Sequence, residues 1–201
     1  MTLPNKLTLS RYVLTPVFAV FFCLIRLAGS HAVRISAALA CLLIYAYMEI
    51  TDFIDGRIAR KRGLVTDLGK VFDPFSDSVM HLTFFALFMR FDLISFVAFY
   101  VIMFRELTIV FLRLLLVKAG TVLPANFFGK FKTAFYAALS FIVIAYVSAS
   151  AFEPSISPEF ERAAVMVFRI LSYCAAFFSL LSLIVYFDGI IRSKALSSLT
   201  K

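Results

Sequence analysis

The chain has 201 residues, 62% of them hydrophobic and 16% charged, with 20 Lys+Arg against 12 Asp+Glu and a net charge of +8. That composition, with 25 phenylalanines but only 7 glycines and 6 prolines, excludes collagenous, linker-rich and disordered chains and points to an all-α integral membrane protein. A spanning helix takes about 20 apolar residues, so six of them leave room for short connections and for no sizeable soluble domain.

In chain order, residues 1–11 place Lys6 and Arg11 among Leu3, Leu7 and Leu9, a pattern that predicts a short N-terminal amphipathic helix lying at the membrane interface. Residues 12–201 then form one six-helix membrane domain. Its predicted transmembrane helices are Tyr12–Ala28, Val33–Thr51, Val71–Met89, Leu93–Val117, Thr133–Phe152 and Ala163–Phe187. The charged stretch Asp55–Lys70 separates the second from the third, and the acidic, proline-marked Glu153–Arg162 turn precedes the last. Cys23, Cys41 and Cys174 fall inside apolar stretches without CxxC spacing and read as buried packing residues.

Placing the N-terminus in the cytoplasm puts most basic residues inside and leaves Arg26, Arg34, Arg90 and Arg162 outside, with Arg105 and Arg169 within spans. The positive charge is therefore a matter of topology and of attraction to anionic lipid. No soluble basic face exists to receive nucleic acid. His31 and His81, single histidines on or near apolar segments, read as surface or packing residues.

Half of the 12 acidic residues crowd around the second connection: Glu49, Asp52, Asp55, Asp67, Asp73 and Asp77. Asp52 and Asp55 are i, i+3 at the end of one helix, and Asp73 and Asp77 are i, i+4 at the start of the next, so each pair shares a face. A short connection makes these helices antiparallel neighbours, and four converging carboxylates cannot all stay ionised without counter-charge. All-oxygen ligands without histidine suit two divalent cations, Mg²⁺ or Mn²⁺, and such a site is a template for phosphoryl transfer. Arg57, Arg60, Lys61 and Arg62 stand beside it, either as phosphate clamps or as ordinary positive-inside anchors. The rival reading of the aspartates is a solvated loop, which suffices for Asp67. It accounts poorly for Asp73 and Asp77, which precede the apolar run Met80, Leu82, Phe84 and Phe85. Asp73-Pro74 reads either as an N-cap before a first-turn proline or as a proline inside a helix already begun.

The run Asp52-x2-Asp55-Gly56-x2-Ala59-Arg60-x8-Gly69-x3-Asp73-x3-Asp77 resembles the signature of the CDP-alcohol phosphotransferases, with every signature position filled. The resemblance implies that Asp52, Asp55, Asp73 and Asp77 hold two metals and that Asp77 also takes the acceptor hydroxyl's proton. It implies further that Gly56, Ala59, Arg60 and Gly69 line the CDP moiety, with Thr51 and Arg57 as weaker nucleotide candidates. It favours a third helix that starts near Thr66 or Asp67, with Pro74 inside.

Pro4-Asn5-Lys6-Leu7-Thr8 with Arg11, then Arg105-Glu106, Arg113 and Gly129-Lys130-x-Lys132-Thr133, are similar to the branch that makes phosphatidylglycerophosphate. That branch implies CDP-diacylglycerol as donor, sn-glycerol 3-phosphate as acceptor, a homodimer in the cytoplasmic (inner) membrane, and an active site on the cytoplasmic side. An acceptor carrying its own phosphate needs cations, and Arg105, Arg113, Lys130 and Lys132 are the candidates. A structural Arg–Glu network through Glu106 is the competing reading for Arg105 and Arg113. Other acceptors, namely inositol phosphate, serine or phosphatidylglycerol, stay open on the same aspartates. A cation or proton transporter is the reading from a different class, weakened because the acids gather at one membrane face. Arg169 and Asp188 fit either contacts between helices or, for Arg169, the acceptor cavity.

Overall fold

The computed structural model describes residues 2–61, 67–118, 127–153 and 156–193, all of whose regular structure is helical. Six helices follow one another: α1 (Leu3–Leu27), α2 (His31–Lys61), α3 (Asp67–Arg90), α4 (Phe96–Lys118), α5 (Phe127–Phe152) and α6 (Pro158–Ser193). α1 packs on α2 and α3, α3 on α4, α4 on α6, and α5 on α2 and α6. Among the described residues, four helices contain spans long and apolar enough to cross a membrane: Leu3–Leu27, His31–Arg57, Phe131–Phe152 and Pro158–Arg192. α3 and α4 are the helices that carry Asp73, Asp77, Arg105, Glu106 and Arg113, so the groups that lower their apolarity are the candidate site residues themselves.

Helix positions agree with the apolar segments, but two boundaries differ. Residues 3–11 are not a helix of their own but the opening turns of α1. Pro4 opens α1 without obstructing it, because a first-turn proline lacks only an N–H that would be unbonded anyway, and the helix runs on unbroken to Leu27. The charged Asp55–Lys70 stretch is mostly helical, since α2 continues to Lys61 and α3 begins at Asp67. Apolar periodicity marks where a helix is wrapped in lipid. It does not mark where the helix ends, because charged residues sustain helix equally well in water.

α1 shows how one sequence stripe serves two purposes. Its buried positions recur every three or four residues, polar in the first half (Asn5, Thr8, Arg11, Thr15) and aromatic or aliphatic in the second (Phe18, Phe22, Ile25). The apolar half enters a phenylalanine-rich core in which Phe18 meets Phe84 at 4.5 Å and Phe85 meets Tyr136 edge-on at 5.0 Å between centroids. Tyr45 donates to the Ala137 carbonyl at 2.7 Å, tying α2 to α5. Outward-facing Leu43, Ile184, Met166 and Ile191 are largely exposed, as expected of side chains that meet acyl chains rather than water.

Cys41 alone of the three cysteines is buried; Cys23 is half-buried and Cys174 faces outward on α6. The expectation of three packing cysteines therefore fails for Cys174. A helix apolar on nearly all sides, as a lipid-facing one is, gives no sequence cue to its inner face.

Candidate active site

The end of α2 and the beginning of α3 meet beside the first turns of α1, and their four signature aspartates converge. Carboxylate oxygens of Asp52, Asp55 and Asp73 lie within 4.8 Å of one another, and Asp77 joins them through a shared partner, Arg11. That partner is the residue whose role the sequence did not disclose. One Arg11 nitrogen donates to Asp52 and, at 2.7 Å, to Asp77 Oδ1; the other donates to Asp55 Oδ2 and Asp73 Oδ1, both at 2.7 Å. The guanidinium is 1% exposed, and a planar fork with five N–H donors is the one side chain suited to touch four carboxylates at once. The Thr8 hydroxyl, one turn earlier on the same stripe, lies 3.4 Å from Asp55 Oδ2 and 3.3 Å from Asp73 Oδ1.

Arg11 uses one oxygen of each aspartate and offsets one of four negative charges. The remaining oxygens form a hard, all-oxygen donor set with excess negative charge, which fits a pair of Mg²⁺ or Mn²⁺ ions. Pro74 lies inside α3, so the helix has already begun before Asp73, and Gly69, Asp73 and Asp77 share one stripe.

The nucleotide candidates border this cluster unevenly. Thr51 is buried and turns its hydroxyl back onto the carbonyls of Tyr47 and Met48, at 2.7 and 3.0 Å. Gly56 is half-buried on the last turns of α2, and Gly69 is half-buried on the first turn of α3. Arg57 stacks over the Phe53 ring at 3.8 Å, on the outward side. Ala59, Arg60 and Lys61 end α2 and Lys130 belongs to the first turn of α5, but their side chains, like that of Asp67, lie outside the described ones, and Arg62 lies outside the described residues altogether.

A cavity of about 420 Å³ opens from Asp73 and Asp77 toward Ser78, His81, Arg105, Glu106, Arg113 and Lys132. It brings together three of the four cations expected to receive an acceptor phosphate. Glu106 organises two of them: its Oε1 accepts from Arg105 at 3.0 Å and from Lys132 at 2.5 Å, while Oε2 accepts from Ser78 at 3.0 Å. Arg105 also donates to Ser182 of α6 at 2.8 Å. The Arg–Glu network thus exists, but it links α4 to α3, α5 and α6 through Arg105 and Lys132. Arg113 is half-buried on the cavity wall and forms no salt bridge with a described residue.

His81 is a packing residue, as the sequence reading allowed, set against the rings of Phe84, Phe85 and Tyr136. His81 is buried on the cavity wall; its Nδ1 meets the Asp77 carbonyl oxygen at 2.9 Å and its Nε2 has no hydrogen-bond partner. Spacing offered a signal, since His81 follows Asp77 by four residues and so shares its helix face. Arg169 lies at the opposite end of the bundle, donating to the Asp92 carbonyl at 3.3 Å, and Asp188 pairs with Arg192 one turn on at 2.8 Å.

The chain is similar to known proteins over most of its length. The chain is 38% identical over 136 residues to a Bacillus subtilis protein named CDP-diacylglycerol–glycerol-3-phosphate 3-phosphatidyltransferase, covering 65% of this chain and 70% of that one. A Treponema pallidum protein of the same name is 33% identical over 149 residues, 72% of this chain and 69% of its own. A probable phosphatidylglycerophosphate synthase of Mycobacterium tuberculosis is 37% identical over 134 residues, 65% of this chain and 60% of its own. Residues 1–181 match the CDP-alcohol phosphatidyltransferase family across both the aspartate cluster and the cation-lined cavity, and the chain belongs to that family.

Proposed function

We propose that the protein transfers the phosphatidyl group of CDP-diacylglycerol to the 1-hydroxyl of sn-glycerol 3-phosphate, giving phosphatidylglycerophosphate and CMP. The observation that carries this reading is the single cavity joining Asp73 and Asp77 to Arg105, Arg113 and Lys132. A hydroxyl placed beside Asp77 would lie in the same space as cations able to hold the acceptor's phosphate. The names of the relatives point to the same donor and acceptor.

In this reading Asp77 accepts the proton of the acceptor hydroxyl as its oxygen bonds to the phosphorus bearing diacylglycerol. The bond from that phosphorus to the bridging oxygen breaks, and CMP departs with that oxygen; no covalent enzyme intermediate is needed. Asp52, Asp55, Asp73 and Asp77 would hold two divalent cations, Mg²⁺ or Mn²⁺, which when bound neutralise pyrophosphate charge. Gly56, Ala59 and Gly69 would offer small surfaces beside the nucleotide, with Thr51, Arg57 and Arg60 near its polar edge. Arg105 and Lys132, preorganised by Glu106, would hold the acceptor phosphate with Arg113 and Lys130. The active site and N-terminus would face the cytoplasm, where the positive-inside rule places most of the basic residues, and the protein would act as a homodimer in the inner membrane.

The test is CMP release from CDP-diacylglycerol by purified protein, with and without Mg²⁺ or Mn²⁺, across glycerol 3-phosphate, serine, inositol phosphate and phosphatidylglycerol. Metal-dependent release with glycerol 3-phosphate alone is expected. Release with a different acceptor would retain the aspartate chemistry and overturn the assignment of the cationic pocket.

A further inference from the structure

At the end of the bundle away from the aspartates, every basic residue is an arginine: Arg26, Arg34, Arg90, Arg162 and Arg169. The lysines among the described residues, at positions 6, 61, 70, 118, 130 and 132, all belong to the aspartate end or its flanks. Simple solvation or snorkelling at an interface is served by either residue. Planar, bidentate recognition of an oxyanion is served by arginine.

Three of these arginines line one cavity of about 370 Å³, where α1 and α3 end, α2 begins and α6 approaches: Arg26, Arg34 and Arg90, together with Glu153 and Glu161. Opposite charges share that wall, yet none of the three arginines forms a salt bridge with a described residue. The Arg34 Nε is buried without a hydrogen-bond partner. The guanidiniums of Arg26 and Arg90 both lie over the Phe91 ring, 5.7 and 5.5 Å from its centroid, and all three residues line the cavity. Cations and carboxylates held apart across a polar space are complementary to an occupant that carries an anion and a hydrogen-bond donor together.

A second cavity of about 590 Å³ shares Arg26, Phe91 and Glu161 and continues along Val165, Met166 and Ile170 of α6. Met166 and Ile170 are 65% and 51% exposed on the outer face of the bundle, where acyl chains run. A polar pocket that shares a wall with a wider groove, in which these lipid-facing apolar side chains stand beside Asp92, Arg162 and Arg169, has the two-part shape of a phospholipid, which a free phosphate ion does not need.

We propose that this end of the molecule binds one glycerophospholipid of the leaflet opposite the active site. Its phosphodiester lies against Arg26, Arg34 and Arg90, a headgroup hydroxyl or ammonium donates to Glu153 or Glu161, and an acyl chain lies along α6. The site is separate from the aspartate cavity and does not depend on which acceptor the enzyme uses.

The experiment is native mass spectrometry of the full chain in detergent, titrated with phosphatidylglycerol, phosphatidylethanolamine or phosphatidylcholine, beside melting temperatures with each lipid and with inorganic phosphate. One retained phosphatidylglycerol or phosphatidylethanolamine is expected, with weaker retention of phosphatidylcholine, whose headgroup has no donor. Arg34→Gln should weaken retention about tenfold, the loss of one charge-assisted pair. Arg34→Lys keeps the charge but not the fork and should also lose affinity while melting like the parent in detergent alone. Unchanged retention in a folded Arg34→Lys and Arg34→Gln pair would overturn the site. Equal retention of phosphatidylcholine would overturn the role given to the glutamates, and stabilisation by inorganic phosphate equal to that by lipid would overturn the lipid assignment.

Discussion

At the aspartate end one arginine contacts four carboxylates, whereas at the other end three arginines and two glutamates line a cavity without a salt bridge between the arginines and any described residue. Both ends concentrate charge in a largely apolar bundle, and the difference lies in what closes the charges. Where charge must hold a fixed geometry, as the proposed metal ligands would require, the protein supplies an internal counter-ion that cross-links three helices. Where charge lines an open cavity, the protein leaves its groups apart, and the balancing charge must come from an occupant. The cavity proposed for the acceptor is intermediate: Glu106 secures Arg105 and Lys132, and Arg113 is left without a described carboxylate partner.

The largest effect that would test this contrast is at Asp77. Asp77→Asn keeps shape but loses basicity and anionic ligand strength, so CMP release should vanish while the melting temperature changes little. A rate within about tenfold of the parent, ~1.4 kcal/mol of barrier, would break the assignment of Asp77 as base and ligand. Chelation by EDTA should abolish release in the parent, and Mg²⁺ or Mn²⁺ should restore it.

Next in size is Arg11→Met, which removes the shared partner and leaves four acids facing one another. Loss of one member of a buried ion pair costs ~3–5 kcal/mol, and the part-exposed Asp52 and Asp73 place this case toward the lower end. Without divalent ions the variant should melt well below the parent, and with Mn²⁺ the gap should narrow as the metal supplies the missing positive charge. An equal deficit with and without metal would show that Arg11 serves packing alone.

A smaller effect is expected at the acceptor cavity. Glu106→Gln leaves Arg105 and Lys132 with a neutral partner, so their positions loosen and the KM for glycerol 3-phosphate should rise about tenfold, with a smaller change in kcat. Arg113→Gln should raise the same KM with less effect on stability, because Arg113 has no carboxylate partner among the described residues. A kcat loss with unchanged KM in both variants would remove these residues from acceptor binding.

The aspartate cluster was legible because its spacing is local: i, i+3 and i, i+4 pairs on two helices joined by a short connection define a face before any tertiary contact is known. Arg11 was not legible in the same way. Its contacts span 41 to 66 residues, and the positive-inside rule explains an arginine at that position without any reference to the aspartates. Lys132 meeting Glu106 across 26 residues was hidden for the same reason. Six helices followed from apolar length, but the extension of α2 through Lys61 did not, because hydropathy senses lipid and is blind to helix in water.

The smallest predicted effect sits at the arginine-rich end and separates backbone geometry from charge. Asp92 has φ 59°, and the N–H of Leu93 bonds back to the Phe88 carbonyl at 2.9 Å, a left-handed stop to α3 of the kind glycine usually occupies. Arg169 contacts the Asp92 carbonyl oxygen, which any residue at this position would also supply. Asp92→Gly should therefore leave that contact intact, relieve the left-handed strain and stabilise the protein by up to about 1 kcal/mol, whereas Asp92→Val should destabilise it by ~1–2 kcal/mol. If the Asp92 carboxylate instead balances the neighbouring arginines, both variants should lose stability together, and the loss should shrink in high salt as screening takes over that role.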